Sequence, residues 1–336
     1  MVQNQDEIRV RGRSRLVPSI EITGRTIIAT GRWLKIAAVK DEAFVEGEVV
    51  TNPELFIDKL KKWEAKPDIF MFCQKITDAV PKFAYTMEWD DFAVIRITTY
   101  DKWLRDHIKK DVKENVRRAR REGVMVKAVE FNDTFVQGVK DLYDETPIRQ
   151  GKPFWHYGKP FESVKNTLAT YCDRAEYIGA YFERELIGFI KMVYVGDIAK
   201  TMHVISKERY HHKRPTNALI AKAVEICEQK RISFFIYGEY NFPGTGQNSL
   251  TEFKRRHGFE EIRFPRYFVP LTSKGRFAVS TGMYSDARNL IPAPLIKFLI
   301  KARSKVNRLL HARQCGVGAR ANVTISPRIE TNHKRT

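Results

Sequence analysis

Cysteine is scarce in this chain of 336 residues, which contains only Cys73, Cys172, Cys227 and Cys315. None of them forms a CxxC pair, and neighbouring cysteines are about 50 to 100 residues apart, which excludes a zinc knuckle and a small disulfide framework. Three lie in apolar strand or helix patterns, where cysteine behaves as a small hydrophobic residue. We therefore expect reduced, structural cysteines and no metal site.

Long apolar runs are also missing from the sequence. No run reaches the roughly 18 residues that spanning a bilayer requires, and the polar, charged start does not have the pattern of a signal peptide. These features predict a cytoplasmic protein. The apolar fraction of 43%, with 21 Phe and 13 Tyr, is enough to build a core and argues against a mostly disordered chain.

Acidic residues are too few to balance the basic ones. The 59 Lys and Arg against 40 Asp and Glu give a formal net charge of +19. Such a surplus attracts anions, namely nucleic acid, nucleotide phosphates or an anionic membrane surface. A generally basic protein without such a partner is the alternative.

The first third of the chain predicts a flexible N-terminus over residues 1–20 and then a small domain over residues 21–108. Its strand-like runs are separated by turn residues and cover residues 25–29, 33–39, 43–50, 68–74, 83–88 and 92–98, with Asp90 and Asp91 as the turn of the last pair. Asn52 as N-cap and Pro53 at the first position predict a helix to about residue 63. A basic helix over residues 109–122 follows and ends at Gly123.

From residue 124 the predicted elements have the order β-α-α-β-β-β-α-β-α-β. The strands cover residues 124–130, 177–182, 186–195, 198–205, 233–237 and 260–269, and the helices cover residues 133–146, 161–172, 216–229 and 249–257. The helix between the strands at 198–205 and 233–237 is long enough to cross over and make them parallel neighbours. Because ligands bind beyond the carboxyl ends of such strands, we expect the site just after Ile205 and Tyr237.

Three stretches resemble the Fem-type branch of the GNAT acyltransferase superfamily. They are ENVRRARREGVMV at residues 114–126, RPTNALIAKAVEIC at residues 214–227, and LTEFKRRHGF at residues 250–259, which matches the family's closing L-x-x-F-K-x-x-x-G-F signature. The resemblance implies an α/β (α+β) fold of tandem GNAT-like domains with central mixed sheets. The half at residues 21–108 is degenerate, and the half at residues 109–272 is complete.

The resemblance also implies a function. Fem-type proteins attach amino acids to peptidoglycan precursors and use aminoacyl-tRNA where other GNAT proteins use acyl-CoA. We therefore expect a transferase that moves an acyl group from acyl-CoA or aminoacyl-tRNA to an amine of a cell-envelope or sugar-linked acceptor, with no tightly bound cofactor. The Q/R-x-x-G-x-G/A donor loop of other GNAT proteins is missing here and is replaced by residues 211–215, HHKRP. The donor stays open between the two co-substrates.

Basic residues precede the helix that begins near Thr216. Free N–H groups and the positive end of the dipole at a helix N-terminus favour phosphate. The candidate donor-binding residues are Lys207, His212, Lys213, Arg214 and Asn217. The alternative is a solvated basic loop.

The loop at residues 147–157, PIRQGKPFWHY, combines hydrogen-bond donors with a candidate base. His156 and Tyr157 are catalytic candidates, and Arg149 and Gln150, with the preceding Glu145, are candidates for substrate binding. Packed or solvated side chains are the alternative.

The remaining candidates lie near the closing signature. Lys254 matches the lysine of the Fem-type signature and is a candidate for holding an anionic group, although it is also consistent with a surface lysine. Glu239, at the end of the strand, is a candidate base for the attacking amine. The GNAT resemblance makes Tyr237 or Tyr240 the group that protonates the leaving group. We expect acyl transfer without a covalent enzyme intermediate.

Two basic segments indicate partners. The face of the helix at Arg118–Arg121 suits the backbone of an RNA such as tRNA, or a polyphosphate, and a solvated basic face is the alternative. The amphipathic segment 290–311, within a C-terminal extension at residues 273–311, suits the inner membrane surface or the protein's own surface. Residues 312–336 predict a disordered tail. A non-catalytic GNAT-fold protein that binds nucleic acid or an anionic membrane is the alternative function.

Overall fold

The computed structural model describes residues 4–10, 13–40, 50–149, 151–241 and 249–284. The chain divides into two units, Met1–Arg276 and Phe277–Thr336. In the first unit the strands outside one small hairpin form a single mixed sheet. They are β1 Gln5–Val10, β2 Arg13–Ile22, β3 Arg25–Thr30, β4 Ile36–Val39, β5 Ile69–Cys73, β6 Thr86–Arg96, β7 Met125–Val129, β10 Ala175–Phe182, β11 Glu185–Val195, β12 Ile198–Ser206, β13 Phe234–Gly238 and β14 Glu260–Pro270; the hairpin is β8 Ile148–Arg149 with β9 Lys152–Pro153.

The sheet has the order β1-β2-β3-β4-β5-β14-β6-β13-β12-β11-β10-β7. Two neighbouring pairs are parallel, β4 with β5 and β12 with β13, and the other pairs are antiparallel. The late strand β14 lies between the early strands β5 and β6 and pairs with both of them. One continuous sheet therefore joins the early and late parts of the sequence.

The helices are α1 Pro53–Lys62, α2 Tyr100–Lys102, α3 Lys110–Arg121, α4 Asp133–Tyr143, α5 Phe161–Leu168, α6 Pro215–Gln229, α7 Ser249–Arg256 and α8 Ser273–Ser280. A π-helical turn, Trp103–His107, follows α2, and a 3₁₀ segment, Glu208–Lys213, precedes α6. The part of the second unit that the structure describes is the end of α8 and its closing turn, where Gly282 has φ +71°. Among the described helices, none is long and apolar enough to cross a membrane.

Helices cover both faces of the late strands. Apolar residues of α6 three and four positions apart, such as Ile220, Val224 and Cys227, are buried in one cluster together with Ile190 of β11. Residues of α4 and α5 are buried with Phe189, the neighbour of Ile190, in a second cluster. Consecutive β11 residues thus face opposite layers, which explains why this strand is an almost uninterrupted apolar run.

Most element types agree with the prediction, and α6 is the crossover helix between the parallel strands β12 and β13. Pro53 opens α1, although the Asn52 side chain makes no capping hydrogen bond. Gly123 ends α3 with φ +80°, a conformation that costs glycine least. The cap of α4 is Asn132, whose Oδ1 accepts the Phe135 N–H at 2.9 Å.

Two predictions about the early chain are wrong. The N-terminal segment predicted to be flexible forms strands β1 and β2, because backbone pairing of β1 with β2 and of β2 with β3 holds a segment that has few apolar residues. Residues 86–96 form the single strand β6 and not a hairpin, because Asp90 and Asp91 have partners within the fold. Asp90 pairs with Arg266 of β14, and Asp91 accepts backbone N–H groups after β13. The predictions at residues 43–49, at Gln150 and at residues 290–336 lie outside the described residues.

Candidate active site

The parallel strands β12 and β13 separate soon after they meet. They pair over Ile198–Phe234, Ala199–Phe235 and Lys200–Ile236. Beyond these residues the Thr201 hydroxyl donates a hydrogen bond to the Tyr237 carbonyl at 2.6 Å. A cavity of about 530 Å³ lies in the opening, between the end of β12, Tyr237 and the starts of α6 and α7. The cavity is therefore at the carboxyl ends of the two parallel strands, where the topology predicts a ligand.

The structure brings four candidate residues together at this cavity: Arg149, Arg214, Asn217 and Tyr237. They come from the β8–β9 hairpin, the N-terminal end of α6 and the end of β13. Ser206, Glu208, His211 and Thr216 also line it, so the cavity wall carries both signs of charge.

The Arg149 guanidinium lies across the end of β12. It donates to the Ser206 carbonyl, its Nε lies 3.5 Å from Glu208 Oε1, and its centre lies 5.0 Å from the Phe154 ring centroid. Its Nη1 atom is buried and has no hydrogen-bond partner within the described residues. Because a guanidinium has five N–H donors in a rigid fork, Arg149 keeps capacity for an anionic or carbonyl group.

The first turn of α6 is fixed by a buried histidine. His257 Nδ1 lies 2.7 Å from the Phe253 carbonyl, and Nε2 lies 2.9 Å from Asn217 Nδ2. These partners require a neutral ring with the proton on Nδ1, since Nε2 must accept from the amide. Burial lowers the pKa of His257 to about 4, which keeps this tautomer at neutral pH. His257 thereby orients Asn217 at the cavity.

The segment before α6 satisfies much of its own backbone. Glu145 accepts the N–H groups of Glu208 and Arg209 at 2.7 and 3.1 Å. The Tyr210 and Arg214 N–H groups donate to carbonyls three residues earlier, and Pro215 has no N–H to offer. Glu145, a candidate for substrate binding, is thus placed as a cap of this segment.

The other donor-binding candidates point in different directions. Lys207 is buried and pairs with Glu185 away from the cavity. Lys213 lies 3.7 Å from Glu122 and over the Phe182 ring, and His212 is exposed. Of the five candidates, Arg214 and Asn217 are the two that line the cavity.

Two charged side chains hold the chain where it leaves β13. Lys254 is fully buried and donates to the carbonyls of Glu239 and Tyr240. Asp91 accepts the N–H groups of Tyr240 and Asn241 at 3.0 and 3.3 Å. We call Asp91 and Lys254 the exit clamp, since a cation holds the carbonyls of this loop and an anion holds its amides. Burial lowers the pKa of Lys254, an effect that the carboxylates Asp91 and Glu239 oppose.

Tyr237 is the aromatic candidate at the cavity. Its ring packs between Phe253 and Phe259, at centroid distances of 5.9 and 5.5 Å. Burial raises its pKa to about 12, so the phenol carries its proton at neutral pH. Glu239 is exposed, and neither it nor Tyr240 lines the cavity.

His156 lies beside the site. Its ring stacks on Tyr143 at 4.4 Å between centroids and meets the His203 ring edge-on at 5.7 Å. Burial, together with the nearby Lys159, lowers its pKa to about 4. Tyr157 is exposed, and neither residue lines the cavity.

Several residues that shape the cavity are not among those predicted from the sequence. The Ser206 and Thr216 hydroxyls lie 2.9 Å apart and connect the end of β12 to α6. His257 lies inside the LTEFKRRHGF motif, so its place there was an available signal. Asp91 gave no signal, because it approaches the β13 exit from a strand almost 150 positions earlier in the chain.

No protein-family model and no curated protein sequence matches this chain. Solved structures do match its fold. FemX aligns with a TM-score of 0.54 at 8% identity, over 78% of this chain and 87% of FemX. The structure of L-PGS from Bacillus licheniformis aligns with a TM-score of 0.50 at 13% identity, over 77% of this chain and 85% of L-PGS.

A third similar structure is the C-terminal domain of a putative lysylphosphatidylglycerol synthetase from Agrobacterium fabrum, with a TM-score of 0.50, 11% identity and coverage of 80% of this chain and 88% of that domain. At these identities the likeness is one of fold. The predicted α/β fold with a central mixed sheet is confirmed.

Proposed function

We propose that this chain, which has the Fem-type GNAT fold, is an acyltransferase that moves an aminoacyl group from aminoacyl-tRNA to an amine of a cell-envelope or sugar-linked acceptor. The observation that carries the proposal is the cavity at the separating ends of β12 and β13, where Arg149, Asn217 and Tyr237 meet. We assign the reaction to residues 109–272 and a supporting role to residues 21–108.

The chemistry needs a bound amine and an ester carbonyl in the cavity. The amine nitrogen attacks the carbonyl carbon, a C–N bond forms, and the C–O bond to the ribose breaks. The N–H groups of β12 on the edge that has left β13 are suited to stabilise the oxyanion. The protonated Tyr237 phenol is suited to give its proton to the leaving ribose oxygen, and Glu208 or His211 to accept the proton that the amine loses.

Occupied amides before α6 favour aminoacyl-tRNA over acyl-CoA. A pyrophosphate cradle at a helix N-terminus requires backbone N–H groups that are free to point at the ligand. In the segment just before α6 the Glu145 carboxylate accepts two amides and carbonyls accept two more, and Pro215 at the first position of α6 has no N–H. A diphosphate would also meet the negative charge of Glu145. The name of one protein of this fold, lysylphosphatidylglycerol synthetase, describes an aminoacylated product.

Ligand-dependent thermal unfolding tests the donor. A ligand at 100 times its Kd raises the free energy of unfolding by about 2.7 kcal/mol, which is easily resolved as a shift in Tm. We expect a shift with aminoacyl-tRNA and none with acetyl-CoA. A shift with acetyl-CoA alone would overturn the donor assignment.

Transfer is tested with tRNA that carries a radiolabelled amino acid and with envelope precursors as acceptors. Label should move to a product that resists ribonuclease. Tyr237→Phe should lower kcat by roughly 100-fold, the lower range for removing a general acid. The matched control Tyr240→Phe removes a phenol outside the cavity and should keep the wild-type rate. No transfer with any charged tRNA, together with RNA or liposome binding, would favour a non-catalytic binding protein.

A further inference from the structure

A second groove, of about 770 Å³, runs between α3, α6 and β7. Its floor is apolar and includes Val116, Ala218 and Ala221, and its rim carries Arg117 and Arg120 on α3. Lys222 and Glu225 of α6 also line the groove, and they pair with each other at 3.1 Å. The candidate active site does not use this groove.

The cations of α3 fall into two sets. Arg118 pairs with Glu122 at 2.7 Å, and Arg121 pairs with Glu114 at 2.6 Å. A second set, which we call the α3 stripe, consists of Lys110, Lys113, Arg117 and Arg120. None of its members forms a close ion pair with a carboxylate within the part of the chain that the structure describes. Its spacing of three, four and three residues places the stripe along one side of the helix, and the last two members line the groove.

The groove and the candidate active site are lined by successive residues of α6. Ala218 lines the groove, and its neighbours Thr216 and Asn217 line the cavity. The stripe extends for about 15 Å along α3, at 1.5 Å per residue. A linear polyanion in the groove would thus have one end beside the cavity.

We propose that the α3–α6 groove binds the phosphate backbone of an RNA, namely the RNA that carries the donor group to the cavity. This inference rests on the proposed function. The charge pattern favours RNA over a membrane surface, because the cations border a recess that a strand can enter and a flat bilayer cannot. The apolar residues Val112, Val116 and Ala119 of α3 are buried or partly buried in the core, so this helix has no apolar face to insert into lipid.

The experiment compares Arg117→Gln/Arg120→Gln with a control of equal charge change, Lys61→Gln/Lys62→Gln, at exposed positions of α1. Binding of uncharged tRNA is measured by filter retention across a range of salt concentrations. We expect the groove variant to bind roughly tenfold or more weakly, with a slope of log K against log salt that is smaller by about 1.4 to 1.8. The control should bind as the wild type does, and both variants should keep the wild-type Tm.

Equal weakening by the two variants would overturn the inference, since only net charge would then matter. Loss of binding to phosphatidylglycerol liposomes with tRNA binding intact would also overturn it, in favour of a membrane partner. Because uncharged tRNA binding needs no turnover, failure of the proposed function appears separately. A wild-type protein that binds tRNA through the groove but transfers nothing would sustain RNA binding at the groove and refute both the transferase and the role of that RNA as donor.

Discussion

Replacing Lys254 with methionine removes the cationic half of the exit clamp while nearly conserving the length of the side chain. The ammonium donates to the carbonyls of Glu239 and Tyr240, and the residue is fully buried. Methionine leaves both carbonyls without this donor. The Asp91 contacts to the amides of Tyr240 and Asn241 would remain. The variant therefore tests whether Lys254 positions the β13 exit or contacts substrate.

The expected cost follows from two opposing terms. Each hydrogen bond from a charged donor contributes about 1.5–3 kcal/mol, so the two bonds together contribute about 3–6 kcal/mol. Removing a buried ammonium also relieves part of its desolvation cost. We expect the free energy of unfolding to fall by about 2–4 kcal/mol. At 2–4 °C per kcal/mol for a domain of comparable size, Tm should fall by roughly 4–16 °C.

Urea unfolding and thermal unfolding measure the change, and kinetics follow at a temperature where the variant is folded. The matched control is Arg255→Met, which removes the adjacent exposed cation paired with Glu252 and should leave the free energy of unfolding nearly unchanged. We expect Lys254→Met to lower kcat more than it raises KM. A variant as stable as the control, with a raised KM and an unchanged kcat, would refute the clamp and identify Lys254 as a substrate-binding residue.

Three further outcomes are expected. Between pH 6.5 and about 4, His257 binds a proton in the unfolded state but not in the native state, so its contribution to stability is complete above pH 6.5 and is lost with acidification. His257→Gln should remove up to about 3 kcal/mol of this acid-dependent loss, measured by urea unfolding at each pH. An unchanged dependence of the free energy of unfolding on pH would contradict this prediction. Arg149→Met should raise KM for the acceptor or the donor about tenfold or more in initial-rate assays, because the substrate loses a hydrogen bond from a charged group. An effect on Tm alone would show a structural role. Gly258→Ala places a Cβ 2.9 Å from the His107 carbonyl oxygen at a φ of +79° and should lower the free energy of unfolding by about 2–4 kcal/mol. The control Gly196→Ala, at φ +56° with open space around it, should lower it by about 1–2 kcal/mol. Equal losses in urea unfolding would rule out the close approach as the cause.

The late half of the fold could be predicted because its signals are local. The apolar runs of β10 to β12, the helix between β12 and β13, and the glycine at 258 each act within a short stretch of sequence. Their order was enough to predict a parallel pair and a ligand position at its carboxyl end. The cavity beside Ile205 and Tyr237 lies at that position.

Contacts between distant segments could not be predicted in the same way. Asp90 and Asp91 have the composition of a turn, yet their partners on β14 and after β13 keep them within a strand. Lys254 and Lys207 look like solvated surface lysines, but neighbouring elements bury both. The direction in which each donor candidate points also depended on carboxylates far along the chain, such as Glu185 for Lys207 and Glu122 for Lys213.

The position of β14 between β5 and β6 has a consequence for how the protein is made. During synthesis both early strands must wait for residues 260–270 before their facing edges can pair. A chain that stops before Glu260 would expose two unpaired edges in the middle of its sheet, and unpaired edges are templates for aggregation. Cutting the gene between residues 108 and 109 would separate β14 from both partners in the same way. The two halves should therefore be insoluble when produced alone, and they should regain solubility when produced together in one cell.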